Sequence, residues 1–499
     1  MYNRLFIIQV FSTPLKKPTS GVLFIVIKLF FKEEFMLSNT ISMYKKDKKF
    51  YKHLFIIAMP IALQNLITSS LNMLDTMMIG KIGEVELASV GIANQYYFLF
   101  SLLTSAIAIG SGVLIAQLWG KKDTSNIKTV LSRSLFYNLC LTIIFMALGL
   151  SIPEKIMAIF NNDPAVVQIG VDYLKIVVIS YLFTAITFTF ASGLRSIENT
   201  QLPMWASLVG LIVNGILNAI LIFGLLGAPK MGIRGAALAT LIARIVEFLI
   251  VVCSVYTKID ILKLKVKNIF ELSKSLSSTL SKVTIPIFTN EACWALGTIT
   301  YAAIYARIGT SAAASIQICT TVMNLFMILT FGLANAAVVI IGNEIGANRE
   351  DKAIEASKKI SSISMKISIL LGLLLALLAK PIVGFFNVSL EVKMSSQYIL
   401  YIYALMMIFK VYTAVMIVGI LRGGGDATYG SILQAVTLWM VGIPLAAFAA
   451  FILKLPVHFV VAFAAIEELI KVVIIVKRFK SFKWIKNMVN DVDTCSNPL

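Results

Sequence analysis

The sequence predicts an all-α polytopic membrane protein with twelve transmembrane helices in two parallel six-helix repeats. Three observations carry this reading. Of 499 residues, 58% are hydrophobic and 14% charged, whereas a soluble domain averages about 25% charged. Apolar runs of about 20 residues recur, the length that crosses a bilayer, and such spans must be helices because lipid satisfies no backbone group. The third observation is a doubled motif. Lys81-Ile82-Gly83 with Ala88-Ser89-Val90 returns as Arg307-Ile308-Gly309 with Ala314-Ser315-Ile316, 226 positions on (309 − 83). Gly120 returns as Gly346 and Pro60 as Pro286 at the same offset.

In chain order, the first repeat places spans at about 54–79, 88–118, 131–152, 167–194, 204–226 and 235–256. The second places them at about 283–306, 313–341, 358–379, 397–421, 429–452 and 457–476. These define two lobes, 51–257 and 282–480, a cytoplasmic linker 258–281 and a cytoplasmic tail 481–499. In the linker, Ile259, Ile261, Leu262, Val266, Ile269 and Phe270 alternate with lysines, as a short interfacial helix would require. Residues 1–50 read as an N-terminal extension. The run Gly21–Phe31 is too short to span, so the expectation is a translated upstream stretch with the native start at Met36 or Met43, or else a cytoplasmic amphipathic tail.

Loop charge sets the orientation. Lys45, Lys46, Lys48, Lys49 and Lys52 precede the first span, Lys121, Lys122 and Lys128 follow the second, and Lys477, Arg478, Lys480 and Lys483 follow the last. Loops of the other parity carry one or two, such as Lys81 and Lys155. Both termini are therefore expected in the cytoplasm, and two six-helix units of one orientation are parallel repeats.

Composition also excludes classes. A net charge of +19 would suit a nucleic-acid protein, but the basic residues lie in short loops and no soluble basic domain is visible. Cys140, Cys253, Cys293, Cys319 and Cys495 have no paired spacing and read as reduced packing residues. Two histidines, His53 and His458, are too far apart for a metal centre, and no catalytic cluster is visible, so the reading is not an enzyme.

Ionisable and polar residues inside the spans are the candidate machinery, because they are costly in lipid. On the first helix Gln64, Thr68, Asn72 and Asp75 follow spacings of four, four and three, which puts them on one face. The stripe reads as a wet cavity wall ending in a carboxylate. Asn214 and Asn218 share a face of the fifth helix and offer amide oxygens suited to a hard cation or a carboxylic-acid proton, and Thr240 follows on the sixth. The second repeat offers Glu291, at the matched position of Asn65, and Lys410 deep in an apolar run; these two are expected to pair. Tyr301 stands where the first repeat has Asp75. Arg244 with Glu247, and Glu467 with Lys471, read as local ion pairs at helix ends. Arg422-Gly423-Gly424-Gly425-Asp426 lacks the strand, Lys and Ser/Thr of a phosphate loop and reads as a tight turn.

Several stretches together resemble the multidrug and toxic compound extrusion (MATE) family over about residues 50–480. They are Asp75-Thr76-Met77-Met78-Ile79-Gly80, Gly193-Leu194-Arg195-Ser196, Asn214 with Asn218, Gly232–Thr240, and Leu421–Asp426. The resemblance implies a MATE/MOP-type fold and a secondary antiporter. Such a protein expels cationic amphipathic small molecules in exchange for Na⁺ or H⁺ by alternating access. The implied cation site is Asp75, Asn214, Asn218 and Thr240, with Na⁺ or H⁺ as coupling ion and no other cofactor or metal. In the tenth helix Val411 stands where some members carry an acid, so coupling is expected in the first lobe. A monomeric, multi-pass protein of the cell (plasma) membrane follows, in contact with lipid and its substrates and not with nucleic acid. The alternative reading is a lipid-linked glycan or lipid flippase of the same superfamily.

Overall fold

In the computed structural model, which describes residues 47–161, 163–265 and 274–490, the chain is helical throughout and has no strand among the described residues. The helices are α1 (Lys48–Gly80), α2 (Glu84–Lys121) and α3 (Thr124–Ser151). Next comes α4, made of Pro164–Val177 and Ser180–Ser196 with a 49° bend between them. Then follow α5 (Gln201–Phe223), α6 (Ile233–Lys258), α7 (Lys274–Ile308), α8 (Thr310–Gly346) and α9 (Glu350–Gly384). The last are α10 (Leu390–Leu421), α11 (Ala427–Ile452) and α12, formed by Val457–Ala464 and Ile466–Lys480. Among the described residues nine helices are long and apolar enough to cross a membrane, ten with the bent pair of α4. With α7 and α12 the count of twelve passages agrees with the sequence.

Local chemistry sets the helix ends. Asp123 caps α3 by accepting from the Asn126 amide at 3.0 Å, and Asp163 caps α4, with Pro164 at its first position. Ser389 caps α10 through the Val392 amide. The bend in α4 has no proline. Instead, the Ser180 hydroxyl donates to the Val177 carbonyl at 2.6 Å, and Thr184 donates to Ser180; such hydroxyls draw carbonyls out of the helical ladder. Pro60 and Pro286 lie inside α1 and α7 without ending them.

The duplication is written in the backbone as well. Lys122 (φ 63) closes α2 in the left-handed region, and Asn348 (φ 55) closes α8 at the matching place. Glu198 (φ 66) and Gly425 (φ 86) form the second such pair, after α4 and α10. Apolar packing then forms one core within each repeat and a third across them. Phe100 stacks on Tyr181 at 4.4 Å in the first, and Leu375, Met407 and Val411 fill the second. Leu131, Leu194, Ile287 and Val338 belong to the third. Outer faces are apolar and uncovered, as with Ile143 (62% exposed) and Leu377 (75%), the pattern expected of helices solvated by lipid.

The repeats meet where α2 crosses α8. A Cβ on Gly120 would run into the Asn343 carbonyl, and one on Gly346 into that of Gln117. Only glycine lets the two backbones approach so closely.

Leu54–Leu499 forms one compact unit; of Met1–His53 only residues 47–53 are described, helical from Lys48. The expected extension over 1–50 therefore lies almost wholly outside the described residues, as do Val266, Ile269 and Phe270 of the linker and Cys495. The described part of the linker makes a short turn, Asp260–Leu262, and buries Leu262 and Leu264 in the core. Residues 481–490 are more than a solvated tail. Trp484 is fully buried, and the segment hydrogen-bonds to both repeats.

Candidate functional site

Three helices of the first repeat bring Asp75, Asn218, Asn214 and Thr240 into one chain of hydrogen bonds. The Asn218 carboxamide donates to Asp75 and, at 2.9 Å, to the Asn214 oxygen. Asn214 donates in turn to the Thr240 hydroxyl at 3.4 Å, and Thr240 to the Ala236 carbonyl. Both asparagines are fully buried, and Asp75 is 8% exposed. The Asn218 carbonyl oxygen is buried with no donor. The Asn218 nitrogen, not this oxygen, faces Asp75; carboxylate and amide oxygens are the ligand types that suit a small hard cation, and the carboxylate also takes a proton.

The rest of the α1 stripe divides. Gln64 donates to the Ser207 hydroxyl at 3.1 Å and accepts from Arg195 at 3.2 Å. Thr68 uses its hydroxyl on the Gln64 carbonyl, and the Asn72 side chain is exposed. Beyond Ser207 the network continues inward. Ser207 donates to Glu247 at 2.6 Å, and Glu247 pairs with Arg244 at 2.8 Å. Arg244 and Glu247 do pair, but they are buried (9% and 6% exposed) inside the repeat and not at a helix end as expected. A polar line, Arg195–Gln64–Ser207–Glu247–Arg244, thus crosses from α4 through α1 and α5 to α6.

In the second repeat the expected pairing of Glu291 with Lys410 is corrected. Glu291 accepts from Arg422 at 3.1 Å, and Lys410 lies in electrostatic reach of Glu467 and Glu468 on α12. The reason is what Glu291 faces. It stands beside the end of α10, where Arg422 takes the place that Arg195 has at the end of α4, while Lys410 turns toward α12. At the motif offset Glu291 still matches Asn65, and Asn290 matches Gln64.

Glu467 and Lys471 also pair away from any surface. Lys471 bridges Glu467 (3.3 Å) and Glu468 (3.1 Å), and Thr413 donates to Glu468 at 2.9 Å. Tyr301 stacks on Tyr305, and its buried hydroxyl and a Glu467 oxygen both crowd Gly442. The glycine loop is a turn, as expected: Asp426 N–H donates to Leu421 and Gly425 takes φ 86.

Between the repeats lies a cavity of about 300 Å³, lined by Asn65, Arg195, Glu291, Asn335 and Arg422 with apolar residues such as Phe331 and Val338. The sequence alone assigns no cavity role to Arg195 or Arg422. The signal was present: each arginine ends a Gly- or Leu-rich helix segment, and the two stand at matched places. Among the described residues no group of His, Cys, Asp or Glu is arranged to hold a metal ion by three or more ligands. Cys140, Cys253, Cys293 and Cys319 are free thiols.

The MatE family model matches residues 60–220 and again 286–448, two stretches whose starts repeat the 226-residue offset. YisQ, an uncharacterized transporter of Bacillus subtilis, is 25% identical over 443 residues, covering 88% of this chain and 96% of its own. YoeA, a probable multidrug resistance protein of the same organism, is 23% identical and covers 81% and 88%. Among solved structures, a MOP superfamily transporter from Pyrococcus furiosus superposes with a TM-score of 0.79 at 17% identity, covering 87% of this chain and 96% of that one. The Vibrio cholerae MATE transporter VcmN in its bent form gives 0.78 at 18%, covering 87% and 97%. At these identities the structural likeness concerns the fold.

Proposed function

The chain belongs to the MatE family, a family of membrane transporters, and from that premise we propose that it is a secondary antiporter exporting cationic amphipathic compounds in exchange for H⁺ or Na⁺. Relatives named for multidrug resistance support export and do not favour the flippase alternative. The observation that carries the coupling is Asp75 held by Asn218 in a buried site whose amide oxygen still lacks a donor. The incoming ion is cargo at this site. Asp75 would hold it, with the Asn218 oxygen as a further ligand and Asn214 and Thr240 fixing the amide.

One charge moving inward through about 100 mV releases roughly 2.3 kcal/mol, which sustains about a 50-fold concentration ratio. That is enough to drive export if ion and substrate bias the same alternating movement of the two repeats. The α2–α8 crossing at Gly120 and Gly346 is the contact that such a movement would open. With both termini expected in the cytoplasm from loop charge, this crossing would lie near that face.

The test is dye efflux from vesicles holding the purified chain, with a pH gradient and a Na⁺ gradient imposed separately. Efflux under one or both supports the antiporter. Leakage indifferent to both gradients contradicts it.

A further inference from the structure

The cavity between the repeats is not electrically symmetric. Two arginines face it from matched places, Arg195 from the first repeat and Arg422 from the second. Arg422 is set against a carboxylate, Glu291, at 3.1 Å. Arg195 is set against a neutral carboxamide, Gln64, at 3.2 Å. Glu291 is the one acidic residue on the cavity wall among the described residues, so the wall carries one guanidinium charge in excess. Arginine stays protonated in any protein setting and cannot shed that charge.

Nearby groups do not compensate. The hydroxyls of Ser192 and Ser196, also on the wall, donate to the main-chain carbonyls of Ala108 and Gly112. Arg422, although paired with Glu291, keeps a buried Nε without an acceptor. An uncompensated charge at membrane depth is costly and marks a ligand path or a missing partner. The surrounding wall is apolar, with Phe331, Val338 and Val418, which fits an amphipathic body attached to the missing anion.

We propose that Arg195 is an anion-accepting subsite in this cavity, taking the carboxylate or phosphate of an amphipathic zwitterion or acid. A guanidinium fork engages such groups through two parallel N–H donors. The subsite is separate from the coupling site. Gln64 and Asp75 are eleven positions apart on α1 (75 − 64), about 16 Å along a helix. The inference rests on the transport reading, since it takes the cavity as the substrate's path, and it assigns the anionic group of such a substrate to one residue.

The experiment compares two probes with one ring system, a rhodamine ethyl ester, which is a cation, and its free acid, a zwitterion. Binding of each to the full chain in detergent is read by fluorescence anisotropy. The free acid is expected to bind roughly tenfold more tightly, the size of one charge-assisted hydrogen bond. Gln64→Glu gives Arg195 the partner that Arg422 already has and should erase the preference. Glu291→Gln frees Arg422 and should raise it. Benzoate and a short-chain phosphatidic acid are added as competitors. Competition by benzoate assigns a carboxylate, competition by the lipid alone assigns a headgroup phosphate, and competition by neither overturns the subsite. Equal binding of ester and acid, or an acid preference that survives Gln64→Glu, also overturns it. Gradient-driven efflux of the ester, measured in parallel, reports separately on the transport reading.

Discussion

Asn218 donates a hydrogen bond from its carboxamide to the Asp75 carboxylate in the buried interior of the first repeat. The same amide group holds Asn214, so one side chain both orients the carboxylate and ties it to α5 and α6. Asn218→Ala would remove both bonds and leave Asp75 without its donor. The expected outcome is a loss of about 1–3 kcal/mol in stability and at least tenfold slower gradient-driven efflux. Thermal unfolding in detergent and vesicle efflux check the two parts.

The Arg422–Glu291 pair predicts an asymmetric mutational response. Glu291→Leu would leave Arg422, with a side chain 3% exposed, without its carboxylate. The expected cost is about 3 kcal/mol, toward the low end for a broken buried pair, because the Glu291 side chain is 19% exposed to the cavity. Replacing both partners with leucine should recover part of that loss. A double-mutant cycle of unfolding free energies measures it.

Residues 481–490, expected as part of a cytoplasmic tail, have a structural role. Trp484 fills a notch against Gly424, and the Lys486 amide donates to the Gly424 carbonyl at 2.8 Å. Gln117 of α2 donates to the Lys486 carbonyl and accepts from the Met488 amide. The segment thereby fastens α2 to the end of α10. Trp484→Ala should cost about 3–5 kcal/mol, and Gln117→Leu about 1–3 kcal/mol through unpaired main-chain groups. Limited proteolysis after residue 480 should quicken in both variants.

At the α2–α8 crossing, Gly120→Val would drive a side chain into the Asn343 carbonyl. Such overpacking costs about 1–3 kcal/mol and should disfavour this arrangement of the repeats. Cysteines placed on the two helices beside the crossing should therefore cross-link more slowly in the variant.

Much of this was legible in the sequence because membrane helices impose strong periodicity and the duplication supplies an internal control. The i, i+4 spacing of Asn214 and Asn218, and the stripe ending in Asp75, place these groups on faces that the structure turns toward each other. Partners on other helices were not legible. Successive helical positions differ by about 100°, and nothing in the spacing of Glu291 and Lys410 tells that Glu291 faces the end of α10 and Arg422 while Lys410 faces α12. Depth was hidden too, since nothing in the spacing of Arg244 and Glu247 says that Ser207 and Gln64 draw them into a buried network. Trp484 lies among lysines in a segment expected as a cytoplasmic tail, and the notch it fills exists only once Gly424 is in place.

The most direct test of the coupling site is gradient-driven dye efflux from vesicles carrying Asp75→Asn. This variant keeps the size of the side chain and removes its charge. The expected result is a folded protein with a melting temperature within a few degrees of wild type and no efflux under either a pH or a Na⁺ gradient. Efflux at the wild-type rate in that variant would contradict it.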